Sequence, residues 1–283
     1  MHFDTLKEKC DYFRSLTDYR LTPNSYVIAM LDGRTFSKLI KNKYKLPFDK
    51  EFMSMMDETA KYILKNVQGA KFAYAQSDEI SILITDFETP ATDAAFGYRI
   101  CKLQSILAAM AASKFNQLAL LREINARDYD RIHFDSEDTI YRIAECRTII
   151  EDQKLVEFDC KVWSVPDYND AFCHFLWRQN DCTRNSKQQA AQTYLPHKEL
   201  VGLETDQQIL KLFMEKGVDW HKYTDGEKYG RLIYKEEKEF TSGLDYGGEP
   251  LKYTRNVWES HGAKPFAEEE NNVIKTLIPK RNE

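Results

Sequence analysis

Residues 26–33 read YVIAMLDG and residues 71–84 read KFAYAQSDEISILI, and how these two stretches sit together decides the fold. The first is a continuous apolar run carrying β-branched Val27 and Ile28, and it stops at Asp32-Gly33. That pattern describes a central strand, buried on both faces and ended by a tight turn. The second holds two apolar runs around Gln76-Ser77-Asp78-Glu79, which reads as a hairpin with carboxylates at its tip. Between them Phe52, Met55, Met56, Thr59 and Ile63 recur at helical spacing. After them, residues 92–121 place Leu103, Ile106, Leu107 and Met110 on one helical stripe, with no Asp or Glu from Ala94 to Leu121. Residues 156–164 then read as a last strand, stopped at Pro166. Strand, helix, strand, strand, helix, strand is the βαββαβ order of an α+β, ferredoxin-like sheet with both helices on one face, the architecture of a polymerase-type palm.

In such a sheet the first and third strands are neighbours at the centre. The end of the first therefore lies beside the start of the third, and Asp32, Asp78 and Glu79 are expected to converge on one sheet edge. Asp-Gly by itself is an ordinary turn, and Asp-Glu at a hairpin tip an ordinary solvated one; their conjunction at this edge is what carries information. Clustered carboxylates repel one another unless a cation is present, and hard oxygen ligands select Mg²⁺, which keeps waters and shares itself with substrate phosphates. Two such ions about 4 Å apart form a clamp for in-line phosphoryl transfer. Phosphates also need cations. Arg99 and Lys102, in the first turns of the acid-free helix, are expected to point towards the sheet near its edge, and Arg34, Lys38, Lys41, Lys43 and Lys45 follow the first carboxylate with no acid among them.

Working outward, residues 5–18 suggest a short amphipathic helix broken at Thr22-Pro23. Residues 122–155 are charged and irregular, an expected insertion or lid in a palm domain filling 1–166. From Asp167 the chain changes character, with helical signals at 171–192 and 206–216, a hairpin near 228–240 and a charged tail rich in Gly and Pro. Residues 167–283 are thus expected to form a smaller, mainly helical accessory region. Arg178, Arg184 and Lys187 make one of its helices locally basic, suited to an RNA backbone or a second triphosphate.

The 283 residues carry 40 Lys and Arg against 45 Asp and Glu, a net charge of −5, with 42% hydrophobic residues. This is an ordinary globular composition, and it argues against a protein that coats nucleic acid by bulk charge. The 6 Cys are scattered without a CxxC pair and read as free thiols. The N-terminus lacks an apolar stretch and the Ala-rich run at 105–113 is too short to span a membrane, so a cytoplasmic location is expected.

Leu31-Asp32-Gly33-Arg34-Thr35-Phe36, Tyr74-Ala75-Gln76-Ser77-Asp78-Glu79-Ile80-Ser81, Phe158-Asp159-Cys160-Lys161 and Trp177-Arg178-Gln179-Asn180-Asp181-Cys182 resemble, in order, the motifs of the tRNA(His) guanylyltransferase family. The resemblance covers roughly residues 5–260 and implies a palm enzyme that adds nucleotides in the 3′-to-5′ direction. It implies that Asp32 and Asp78 hold two Mg²⁺ ions with help from the Gly33 carbonyl, that Glu79 is the third acidic residue, and that Ser77 contacts nucleotide. It further assigns Arg34, Phe36, Ser37, Lys45, Asp49, Arg99 and Lys102 to nucleotide binding, and Lys161, Arg178, Arg184, Asn185 and Lys187 to RNA or a second triphosphate. ATP and GTP are the implied substrates beside tRNA, and a homo-tetramer the implied assembly. The family's eukaryotic members read HINNLYN where this chain has Thr183-Arg184-Asn185-Ser186-Lys187-Gln188-Gln189, and Ser37 replaces a usual His. These departures resemble the bacterial and archaeal branch, which repairs truncated tRNA 5′ ends. Two other readings use the same residues: a palm-domain nucleotide cyclase or oligonucleotide synthetase, which turns over without RNA, and a non-catalytic RNA-binding module, which binds without turnover.

Overall fold

A computed structural model of the chain describes residues 3–89, 91–126, 147–148, 150–151, 154–244, 250–268 and 273–281. Along the chain run α1 (Leu6–Ser15), β1 (Tyr26–Gly33), α2 (Phe36–Lys43), α3 (Lys50–Asn66), β2 (Ala70–Gln76), β3 (Glu79–Ile84), a 3₁₀ turn (Ala95–Tyr98), α4 (Ile100–Asn125) and β4 (Phe158–Val165). There follow α5 (Tyr168–Tyr194), α6 (His197–Leu200), α7 (Thr205–Lys216), α8 (Asp225–Tyr229), β5 (Arg231–Leu244), β6 (Pro250–Gly262) and α9 (Val273–Leu277).

The strands form one sheet in the order β4-β1-β3-β2-β5-β6, antiparallel at every pairing. Its first four strands have the expected ferredoxin-like order. Val27, Ala29 and Leu31 of β1, with Ile80, Ile82 and Ile84 of β3, pack against Met56 and Ile63 of α3 and Leu103 and Leu107 of α4. The alternate residues Tyr26, Ile28 and Leu83 pack against Ala171 and Phe175 of α5 on the opposite face. Both faces are covered, which is why β1 and β3 read as unbroken apolar runs. The same alternation assigns Asp32 and Glu79 to the α5 face.

Several expectations need correction. The second palm helix begins at Ile100 instead of 92, because Phe96, Gly97 and Tyr98 take φ of 51°, 61° and 53° and interrupt it. The sheet does not end at 166: α5 covers its second face, and β5 pairs with β2 from Phe72↔Tyr234 to Ala75↔Arg231. The residues expected to be a charged tail are β6, which runs beside β5 from Arg231↔Gly262 to Thr241↔Lys252. Only the base of this hairpin adjoins β2, so its outer residues stay polar on both faces and show no strand alternation. The expected insertion at 122–155 lies mostly outside the described residues. No helix among the described residues is long and apolar enough to cross a membrane.

Candidate active site

Backbone register builds the site. Asp32, one residue before the end of β1, pairs with Glu79 of β3 on one side and with Asp159 of β4 on the other. Ser77, at φ 45°, closes the β2–β3 turn, and the Asp78 carbonyl accepts a hydrogen bond from the Gly33 N–H at 3.1 Å. That bond fastens the hairpin tip to the end of β1. Asp32, Ser77, Asp78 and Glu79 line a cleft of about 380 Å³ whose other walls include Pro47, Phe48 and Met53 near the start of α3 and Asn185 of α5.

Burial raises the carboxyl pKa of Asp78, and the charge of Asp32 adds to the effect against a Ser77 hydrogen bond. Asp32 is raised by burial and then by Asp159, with Lys161 and Arg178 opposing. Glu79 is also raised by burial, but its carboxylate is committed: Arg178 donates to it, and Gln76 Nε2 donates to it at 2.7 Å. Arg178 also donates to Asp181 at 2.9 Å and is only 6% exposed. Glu79 is therefore an anchor for α5. Among the described residues no group of three or more His, Cys, Asp or Glu is arranged to hold a metal. The expected trio of acids reduces to the pair Asp32 and Asp78. Two partly buried carboxylates on one cleft wall, both raised by burial, fit Mg²⁺, which takes one or two carboxylates and completes its shell with waters and phosphate oxygens.

The other expected site residues divide. Ser37 and Lys45 are exposed beside the cleft and its neighbouring groove, and Lys161 is exposed on edge strand β4, on the same face as Asp32. Phe36 is a core residue, 1% exposed, with its ring against Phe52, Phe115 and Phe158. A Cβ at Gly33 would meet that ring at 2.4 Å, which is why the turn holds glycine. Asp49 caps α3, accepting from Phe52 N–H at 2.9 Å and Lys45 N–H at 2.8 Å. Arg34 pairs with Glu157 at 2.8 Å.

Arg99 and Lys102 are not brought to the carboxylates within the chain. β3 runs from Glu79 at the cleft to Ile84 beside Val27, about 17 Å away at ~3.3 Å per residue, and α4 starts beyond that far end. There Arg99 binds Asp18 at 2.5 Å. The basic stripe on α5 is likewise largely engaged. Arg178 is buried, Arg184 is paired with Asp181, and Lys187 meets Asp206 at 2.5 Å and lies 5.1 Å over the Trp220 ring. Asn185 reaches the cleft and donates to Asp181 at 3.2 Å. Sequence reasoning assigned no role to Asp159 or Asp181. Asp159 becomes visible once β4 is set opposite β1, and Asp181 lies three residues from both Arg178 and Arg184, the spacing of helical ion pairs.

A ferredoxin-like sheet with paired carboxylates where its first strand meets its hairpin is a frame suited to nucleotidyl transfer. The model of the tRNAHis guanylyltransferase (Thg1) family matches residues 8–166, and the chain belongs to that family. Among solved structures it is similar to a bacterial tRNA(His) guanylyltransferase (Thg1)-like protein in complex with ATP, with a TM-score of 0.75, 27% identity, and coverage of 97% of this chain and 99% of that one. Its fold is also similar to that of tRNA(His) guanylyltransferase from Saccharomyces cerevisiae, with a TM-score of 0.59, 20% identity, and coverage of 79% and 91%. Among curated proteins, an uncharacterised protein of Acanthamoeba polyphaga mimivirus is 27% identical over 82% of this chain and 78% of its own length. The tRNA(His) guanylyltransferase 1 of Arabidopsis thaliana is 24% identical over 89% of this chain, which spans 41% of that longer protein.

Proposed function

We propose that this protein is a Mg²⁺-dependent nucleotidyltransferase that extends the 5′ end of a tRNA in the 3′-to-5′ direction, by 5′-end repair or by guanylylation of tRNA(His). The observation that supports it best is the register pairing of Asp32 with Glu79, which sets Asp32 beside Asp78 in a cleft of about 380 Å³, ample for a nucleotide. In the first step a 5′-phosphate oxygen of the RNA attacks the α-phosphorus of ATP or GTP, and pyrophosphate leaves. In the second, the 3′-OH of an incoming NTP attacks the activated 5′-phosphorus, and the nucleoside monophosphate leaves. Asp32 and Asp78, with the Gly33 carbonyl, would hold Mg²⁺, which supplies neutralisation of the phosphate charge and alignment of the displacement. Ser77, at the hairpin tip, and Lys45, on the cleft wall, meet the triphosphate. Arg178 holds Glu79 back from it and lends positive potential to Asp32. No side chain acts as a covalent nucleophile.

The assembly proposed is a homo-tetramer in the cytoplasm. α1 has no buried residue and exposes Leu6 and Phe13, while α7 exposes Leu210, Phe213 and Met214. Such apolar surface suits contacts between copies of the chain.

The test is template-dependent addition of labelled NTP to a tRNA lacking its first nucleotide, run beside mature-length tRNA(His), with and without Mg²⁺. Addition to either RNA that requires Mg²⁺ and ATP or GTP is expected. A cyclic product from ATP and GTP without RNA, or tRNA binding without any turnover, would overturn the reading. Light scattering at the mass of four chains is the expected assembly result; a monomer would overturn the tetramer.

A further inference from the structure

The Ser77-Asp78 tip is shared by two compartments. Beside the cleft lies a groove of about 450 Å³, walled by Ser37 and Lys41 of α2 and by Gln188, Gln189, Gln192 and Thr193 of α5. Ser77, Asp78, Asn185 and Gln189 border both spaces, whereas Gln188 and Gln192 border the groove alone. Asn185, Gln188 and Gln192 fall at intervals of three and four residues, so they form one stripe along α5, about 10 Å long at 1.5 Å per residue. Among the described residues, the side-chain amides of Gln188, Gln189 and Gln192 make no hydrogen bond within the protein. Among the described residues, Asp78 is the only carboxylate on the groove wall and Lys41 the only cation.

We propose that this groove holds the 5′-terminal nucleotides of the acceptor RNA while the cleft holds the nucleoside triphosphate. This rests on the reading of the chain as an RNA 5′-end nucleotidyltransferase. The division follows from the two linings. The cleft offers Pro47, Phe48 and Met53 as apolar surface for one enclosed base, next to both carboxylates. The groove is more open, nearly uncharged and lined by amides, each of which donates and accepts. Amides of this kind reach the 2′-hydroxyls and minor-groove base edges of an A-form strand that stays paired with its template, and they add little phosphate attraction. A stripe about 10 Å long matches roughly three stacked nucleotides at 3.4 Å each. Since both compartments end on Asp78, the 5′-phosphate of a strand in the groove meets the α-phosphate of a nucleotide in the cleft at that residue.

The full-length protein is tested with a 5′-truncated tRNA carrying 4-thiouridine at its terminal position. Irradiation is expected to cross-link the RNA to the tryptic peptide that begins at Gln188, an assay that needs no turnover. The double variant Gln188→Ala/Gln192→Ala is expected to raise KM for RNA at least tenfold, with ATP affinity measured without RNA unchanged. Cross-linking elsewhere with an unchanged RNA KM would overturn the groove assignment and leave the enzymatic reading standing. A loss of ATP affinity with RNA KM unchanged would assign the groove to the nucleotide and overturn the proposal. Cross-linking through the expected peptide without any nucleotide addition would overturn the enzymatic reading and keep the groove.

Discussion

Asp32 lies between two carboxylate-bearing strands, and burial with Asp159 already raises its pKa. Keeping Asp32 and Asp78 ionised therefore costs the folded state stability at neutral pH. Asp32→Asn and Asp78→Asn should each lower nucleotide addition at least ~100-fold, since the Mg²⁺ that would offset transition-state charge loses an anionic ligand. In the same variants thermal melting at pH 7 without divalent cation should be no lower than wild type; a clear drop would show the carboxylates to be structural. His174 behaves in the opposite sense. Burial, with the Arg178 charge, lowers its imidazole from 6.5 to about 4, and Ser81 Oγ lies 3.2 Å from its Nε2. The unfolded chain takes up this proton first. The contribution is therefore complete above pH 6.5 and lost as pH falls towards 4, on the order of 3 kcal/mol in all. Denaturant melts of His174→Gln should show a flatter slope over that window. Gly33→Ala meets the Phe36 ring and should cost about 1–3 kcal/mol with loss of activity, read by melting and turnover together.

At the scale of the element, α5 is the device that turns a palm sheet into a closed site. Its Arg178 is sandwiched between Glu79 and Asp181 and lies 4.4 Å over the Trp177 ring. Removing one partner from such a buried pair leaves a charge without compensation. Arg178→Met should cost about 3–5 kcal/mol, whereas the exposed Arg184→Ala should cost under about 1 kcal/mol. Equal effects in urea melts would refute the assignment of Arg178 as the anchor. α4 shows the converse. Its acid-free sequence suggested a phosphate-facing helix, but it starts at the end of the sheet remote from Asp32, and its stripe of Leu103, Leu107, Ala111 and Phe115 simply fills the core.

For the whole molecule, the net charge of −5 limits how RNA is held. Lys38, Lys41, Lys45 and Lys161 are exposed on the side of the sheet where Asp32 ends β1, and none has an ion pair among the described residues. At about 0.7 per single-strand phosphate contact, the slope of log K against log salt should be about −3 or shallower; a much steeper slope would reveal a broader basic track. The βαββαβ order was legible because β1 and β3 are buried on both faces and say so in unbroken apolar runs. The meeting of Asp32, Asp78 and Glu79 at one sheet edge was legible because that order makes the end of β1 and the start of β3 neighbours. β6 was not legible, since an outlying hairpin is polar on both faces. Charge alone also misled: a cation in the sequence has no partner attached, and Arg178, Lys187 and Arg99 turned out to be engaged with Asp181, Asp206 and Asp18. By itself the sequence determined the order of elements and the strand ends that carry the carboxylates, because apolar periodicity encodes burial locally. Only the tertiary structure decided which carboxylates stay free and which cations face solvent, because those depend on groups brought together from distant parts of the chain.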